Sequence, residues 1–337
     1  MASRSVPGST IRDVAVSAGV SIRTVSRVLN RSPKVNAETR ERVEMAIAHL
    51  GFRRSARARG LATGRSYLIA LLHNDRNALV LDTLQRGIVE AASARGYELV
   101  VHPAPADDGR VVEDILDFAA RSRVDGLVVM APVSGIAGVP EELAAAGIPA
   151  VAMAAVDIAG FSDMLVSDER GAAATVARYL DGLGHRVVGL VNGPLDAQSA
   201  QERREGFLDA VGAMQVVEVP GDYGFDAGYA AGERLLANEP RPTAIFAVND
   251  VMAAGVLKAA AARDIHVPAA LSVVGFDGSI LARMLTPALT TVHRPLADMA
   301  KAATTRLLDI IDGDADDTTL TARLTLVEGE SSGPAPQ

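Results

Sequence analysis

Thr10-Ile11-Arg12-Asp13-Val14-Ala15, then Ala18-Gly19-Val20-Ser21, then Thr24-Val25-Ser26-Arg27-Val28-Leu29-Asn30 is the stretch that decides the reading of this 337-residue chain. Thr10 is placed to cap a helix whose Ile11, Val14, Ala15 and Ala18 recur at helical spacing. Gly19 ends that helix, because glycine enters the left-handed turn without steric cost. Ser21 caps a second helix with Val25, Val28 and Leu29 as its buried stripe, which leaves Ile22, Arg23, Ser26, Arg27 and Asn30 outward. Two short helices joined by a tight turn, the second with a polar and basic outer face, form the layout that places one helix in the DNA major groove. Arg23 and Arg27 lie four apart on one face. An arginine can donate two parallel bonds to a guanine edge, worth about 1–3 kcal/mol of discrimination.

Outward from this stretch, Asn36 caps a third helix over Ala37 to Leu50, with Val43, Ala46, Ile47 and Leu50 inward and Gly51 as its stop. Residues 53–65 are basic, alanine-bearing and interrupted by Gly60. A helix this short is marginal by itself, so the segment is expected to order only when held. Charge divides the chain at the same place. Residues 1–65 carry thirteen Lys and Arg against four Asp and Glu, a net of +9, while the rest carries −17 within the whole-chain −8. A basic head on an acidic body points to a nucleic-acid partner.

From Tyr67 onward apolar strands alternate with amphipathic helices. Strands are expected at 67–72, 98–102, 126–130, 150–153, 164–166, 187–191, 244–248, 271–276 and 290–293. Helices are expected at 79–95, 111–122, 169–183, 200–212, 227–237, 250–263 and 296–312. Such alternation argues α/β architecture with parallel sheets covered on both faces. Nine strands exceed one comfortable small sheet, so two similar lobes are expected, with a ligand cleft beyond the carboxyl ends of the strands. Polar residues stand where that cleft would be: His73-Asn74-Asp75, Ser199, Arg203, Tyr223, Asn249 and Asp277. Asp and Asn address vicinal hydroxyls, Arg donates a fork, and Tyr stacks, which suits a sugar-like ligand. Each also has a structural reading: Ser199 and Asn249 as caps, Arg203 paired with Glu202 or Asp209, Tyr223 as core. His185 reads as a structural turn residue.

The run from Thr10 to Val43 followed by Leu61-Ala62-Thr63-Gly64-Arg65-Ser66 resembles the LacI/GalR family of bacterial transcription regulators, over nearly the whole chain. The resemblance implies an all-α helix-turn-helix head plus a two-lobed, periplasmic-binding-protein-like α/β effector domain. It implies base contacts from Ile22, Arg23 and Arg27, with Ser26 on the same face, and mostly phosphate contacts from Thr10, Ser21, Asn30, Asn36 and Thr39. In the hinge it implies a minor-groove wedge at Leu61 with Ala58 beside it, although Arg54-Ser55 replaces the family's usual Pro-Asn. Effector contacts are implied for Asn74, Ser199, Arg203, Tyr223, Asn249 and Asp277, with Asp75 next to the first. Asp277-Gly278 stands where many members have two aspartates.

The expected organisation is a head at 1–52, a hinge at 53–65 and an effector domain at 66–330. Its first lobe is expected at about 67–163 and 293–320, its second at about 164–290 and 321–330, with a disordered tail at 331–337. No cysteine excludes disulfides and thiolate chemistry, and the histidines lack metal spacing, so no metal or cofactor is expected. No signal peptide or apolar run of membrane length is visible, which leads to a cytoplasmic expectation. There is no Gly-x-Gly-x-x-Gly after a strand, no P-loop and no Gly-x-Ser-x-Gly elbow. A sugar-processing enzyme or a sugar-binding protein with a basic head is the rival reading, and neither accounts for the head itself. The expected protein is a regulator with no catalytic residues, binding a near-palindromic operator as a homodimer and taking a saccharide as effector.

Overall fold

In a computed structural model, residues 9–29, 32–52, 64–74, 77–105, 109–315 and 320–336 are described. Two units divide the chain, Met1–Tyr67 and Leu68–Gln337. The first holds helices α1 (Ile11–Ala18), α2 (Ile22–Leu29) and α3 (Ala37–Leu50). Thr10 and Asp13 cap α1 reciprocally, and Gly19 and Gly51 close α1 and α3 in left-handed conformations (φ +64° and +58°). Val14, Ala15, Ala18, Val25, Val28, Val43 and Ala46 form the small core, as the spacing demands. Asn30, Arg54, Ser55, Ala58 and Leu61 lie outside the described residues, and so does Asp75.

The second unit contains two six-stranded sheets with the same winding. Strands β1 (Leu68–His73), β2 (Glu98–Pro103), β3 (Gly126–Met130), β4 (Ala150–Ala154), β5 (Met164–Ser167) and β11 (Leu320–Ala322) form the first sheet, in the order β11-β5-β4-β3-β1-β2. Strands β6 (Val187–Val191), β7 (Gln215–Val219), β8 (Ala244–Ala247), β9 (Ser272–Asp277), β10 (Thr290–His293) and β12 (Thr325–Val327) form the second, in the order β12-β10-β9-β8-β6-β7. Pairing is parallel except where β12 runs against β10. The helices between them are α4 (Ala78–Ala94), α5 (Val111–Ser122), α6 (Val139–Ala145), α7 (Glu169–Gly182), α8 (Gln198–Asp209), α9 (Phe225–Leu236), α10 (Asp250–Ala262), α11 (Ile280–Met284) and α12 (Leu296–Asp312).

Three expectations need correction. The strand at 164–167 belongs to the first lobe, because Ala152 pairs with Met164 and Ala154 with Val166. The chain therefore crosses to the second lobe after Ser167, and returns between His293 and Leu296. Residues 320–322 also join the first sheet through β5, so the last crossing falls between Ala322 and Thr325. Finally, residues 331–336 are packed rather than disordered. Ser331 is fully buried; its Oγ accepts from Thr290 N at 2.8 Å and donates to the Val273 carbonyl at 2.6 Å. The Ala335 amide donates to the Leu183 carbonyl at 2.8 Å. His185 does have the structural role expected of it, buried between Thr243 Oγ1 and the Gly333 carbonyl.

Candidate functional site

Two places collect the candidate residues. On the head, burying Val25 and Val28 turns Arg23 and Arg27 to solvent with Ile22, while Ser26 is half-buried. The three cap residues are partly committed. Asn36 Oδ1 accepts from the Thr39 amide at 2.8 Å and Ser21 Oγ from the Thr24 amide at 3.1 Å. The Thr10 hydroxyl donates to Asp13 Oδ2 at 2.7 Å, so its proton is spent inside the capping box. Hydrogen bonds from the Thr10 backbone and side chain hold the Asp13 carboxyl below its usual range.

The second place is a cavity of about 650 Å³ between the lobes. The carboxyl ends of the strands reach it: Asn74 follows β1, Ala131 follows β3, Asn249 follows β8, Asp277 ends β9 and Arg294 follows β10. Six of the seven expected effector residues line it: Asn74, Ser199, Arg203, Tyr223, Asn249 and Asp277.

Its floor is a closed ring of four charges. Arg203, 3 % exposed, donates from Nε to Glu169 Oε2 at 2.7 Å and from Nη1 to the Val248 carbonyl at 2.6 Å. Its guanidinium lies 4.0 Å from the centre of the Phe276 ring and 3.7 Å from Asp277 Oδ1. Arg294 completes the ring, 3.1 Å from Glu169 Oε1 and 3.2 Å from Asp277 Oδ1. Its Nε is buried and has no hydrogen-bond partner among the described residues. Burial pushes the Glu169 carboxyl up, but Arg203 and Arg294 outweigh it and hold it below the usual range. At Asp277 burial prevails over the same two arginines and raises the carboxyl. Behind it, burial and Asp277 push Asp250 up to about 7, against hydrogen bonds from Thr291 and Ser279.

Tyr223 forms the neighbouring wall. Its backbone is left-handed (φ +68°), rare for an aromatic residue, and Asn249 Nδ2 donates to its carbonyl at 2.9 Å. Gly193 makes room for the ring, since a Cβ there would come within 2.6 Å of it. The Tyr223 hydroxyl meets Ser199 Oγ at 3.0 Å, and burial raises the phenol so that it stays protonated. Asn249 therefore both caps α10 and fixes Tyr223, while Ser199 makes no helix cap. Arg203 turns away from Glu202 and Asp209, which Arg170 takes. Sequence reasoning missed Glu169 and Arg294. Their only signal is position, Arg294 directly after β10 and Glu169 two residues after the end of β5, each at a crossover between lobes. Asp277 is itself strained (φ +119°), and a Cβ at Gly278 would meet His293 Cα at 2.6 Å, so this turn has no room for a second carboxylate.

Two similarly wound sheets that share one cavity, joined in sequence to a helix-turn-helix, fit the architecture of a DNA-binding regulator. Residues 10–55 match the bacterial regulatory proteins of the lacI family, and residues 177–332 match the periplasmic binding protein-like domain. The HTH-type transcriptional repressor PurR of Pectobacterium carotovorum is 34 % identical over 340 residues, covering 97 % of this chain and 98 % of its own length. PurR of Proteus mirabilis matches equally, with the same identity and coverage. Among solved structures, the Lac repressor bound to ONPG superposes with a TM-score of 0.80 at 26 % identity, over 97 % of this chain and 100 % of that one. A CelR–cellobiose complex gives 0.70 at 28 %, over 96 % and 99 %. The chain belongs to the LacI family of bacterial regulators and is a DNA-binding transcriptional repressor rather than an enzyme. Among the described residues no helix is long and apolar enough to cross a membrane.

Proposed function

We propose that the chain acts as a homodimeric repressor whose affinity for a near-palindromic operator is set by a small polyhydroxylated effector, a saccharide, held between the lobes. The observation that carries this reading is the cavity floor. Four carboxylates line the cavity (Glu169, Asp196, Asp222 and Asp277) against two guanidiniums, which disfavours an anion. The hydroxyls of Ser199 and Tyr223 offer short-range hydrogen bonds of the kind vicinal hydroxyls use.

Arg23 and Arg27 read base edges in each half-site, and two-fold symmetry of the protein matches two half-sites in the DNA. The exposed apolar side chains of Ile280 and Met284, the latter 72 % exposed, supply surface for a second copy. Because two of the three crossovers between the lobes, after Ser167 and between His293 and Leu296, border the cavity, a ligand bound there biases the lobe angle. Effector and DNA then alter each other's affinity by the same factor, typically 5–150-fold.

The test is a thermal-shift screen of mono- and oligosaccharides on the whole protein. At least one raises the melting temperature, and Asp277→Asn and Tyr223→Phe both remove most of that rise. A panel without effect, or a rise that both variants leave intact, refutes the cleft assignment.

A further inference from the structure

Behind the cavity floor, and outside the cavity lining, one more carboxyl is buried. Asp250 opens α10, is 1 % exposed, and meets the turn Asp277-Gly278-Ser279 that leads from β9 into α11. Its Oδ2 accepts from the Ser279 amide at 2.8 Å and from Ser279 Oγ at 2.9 Å, and its Oδ1 accepts from Thr291 Oγ1 at 2.6 Å. The Gly278 amide donates to the same Thr291 oxygen at 3.3 Å. A Cβ at Gly275 would come within 2.6 Å of Oδ1, so β9 leaves the carboxyl its space. One side chain thus fastens the turn to α10 and β10. Beyond the turn α11 has little else to hold it: of its five residues Ala282 is the buried one, while Ile280 and Met284 are exposed.

Charge decides what state this carboxyl takes. In the ring, Glu169 and Asp277 are matched by Arg203 and Arg294, so the four balance without Asp250. A third carboxylate has no cation left to pair with, and an unpaired buried charge is relieved by taking a proton or by reaching water. Holding a proton on Oδ1, Asp250 keeps its contacts, because the Thr291 hydroxyl can turn to accept while Ser279 still donates to Oδ2. Without the proton it is repelled by Asp277, and the half-buried Gly278 and Ser279 are the way to water. His293 of β10 flanks the turn, since a Cβ at Gly278 would meet its Nδ1 at 2.7 Å. The charged groups of the remaining neighbours turn elsewhere. Asp226 and Arg234 of α9, Lys258 of α10 and Arg283 of α11 are exposed, and Glu233 pairs with Arg263 at 2.9 Å.

We propose that Asp250 is a proton-operated latch on this turn: with its proton it fastens Gly278 and Ser279 and keeps α11 in place, and without it the turn opens and α11 loosens. What the proton sets is the order of the surface that carries Ile280 and Met284. The direction follows from linkage. Burial and Asp277 raise Asp250 to about 7 in the closed turn, against the hydrogen bonds from Thr291 and Ser279, and contact with water lowers it again. Opening therefore releases a proton, and rising pH favours the open turn.

The test is hydrogen–deuterium exchange of the whole protein, without ligand, from about pH 5.5 to 8.5, with rates corrected for intrinsic exchange. Residues 278–285 lose about tenfold protection between pH 6 and 8. Asp250→Asn, neutral at every pH and of the same shape, keeps them protected throughout. Ser279→Ala removes one donor to the charged form and moves the loss to higher pH, which a mere packing role would not do. His293→Gln leaves the loss in place. The latch is overturned by protection of 278–285 that ignores pH in the parent, or by a loss that Asp250→Asn retains or His293→Gln abolishes. An unmoved profile in Ser279→Ala, or a loss spread evenly over β9, β10 and α10, overturns it as well.

Discussion

Arg203 was legible as a cleft residue, yet its partner was not. The sequence offers Glu202 and Asp209 nearby, and Arg170 takes both, because α7 and α8 pack side by side and Arg170 lies on their solvent edge. Arg203 faces inward and meets Glu169, thirty-four positions away. Removing it strands a buried carboxylate, so Arg203→Ala destabilises the effector domain by about 3–5 kcal/mol in urea unfolding. Arg170→Ala, at a screened surface site, barely moves the midpoint. Asp250 makes a second prediction. Burial and Asp277 raise it to about 7 in the folded chain from an ordinary 3.8. The folded state therefore holds a proton that the unfolded state has lost, and the associated stability, full below pH 3.8, is lost as pH rises through about 7. The slope approaches about 1.4 kcal/mol per pH unit between these limits. Asp250→Asn flattens that decline over pH 5–7 in denaturation series compared with the parent. The comparison is needed because burial lowers His185, which adds a slope of the opposite sign below pH 6.5.

At the scale of elements, long periodic segments were readable and short or edge ones were not. All nine expected strands and all seven expected helices of the effector domain are present within a few residues. Strand β7 went unread because it is an edge strand, half-exposed, and its Gln215-Val216-Val217-Glu218-Val219 pattern is weak by itself. Strands β11 and β12 are three residues each, and their pairing is decided by distant partners rather than by local pattern. The same reason hid the role of the C-terminal segment. Its Ser and Gly residues look like a solvated tail, yet Ser331, Ser332 and Gly333 satisfy backbone and hydroxyl groups of β9, β10, α7 and His185. Ending the chain after Glu330 unpairs those buried groups, at roughly 1–3 kcal/mol each. The truncated protein should melt well below the parent in calorimetry; an unchanged melting temperature would show the segment to be dispensable.

For the whole molecule, the charge partition between +9 on head and hinge together and −17 on the body was the most direct sequence signal of function. It assigns attraction for DNA to residues 1–65, since the body repels a polyanion. The head's fold was almost wholly legible because caps, glycine stops and apolar spacing agree locally. The cleft was legible as a set of residues, but its charge ring exists only once distant strand ends converge. One measurement bears most directly on the account: fluorescence anisotropy of the whole protein with a duplex selected from a random pool, across a salt series, with and without a saturating cleft ligand. We expect a log–log salt slope of about −0.9 per phosphate contact, an affinity changed at least about fivefold by the ligand, and weakened, less selective binding by Arg27→Ala. A flat salt response, with affinity indifferent to both the ligand and Arg27, would contradict it.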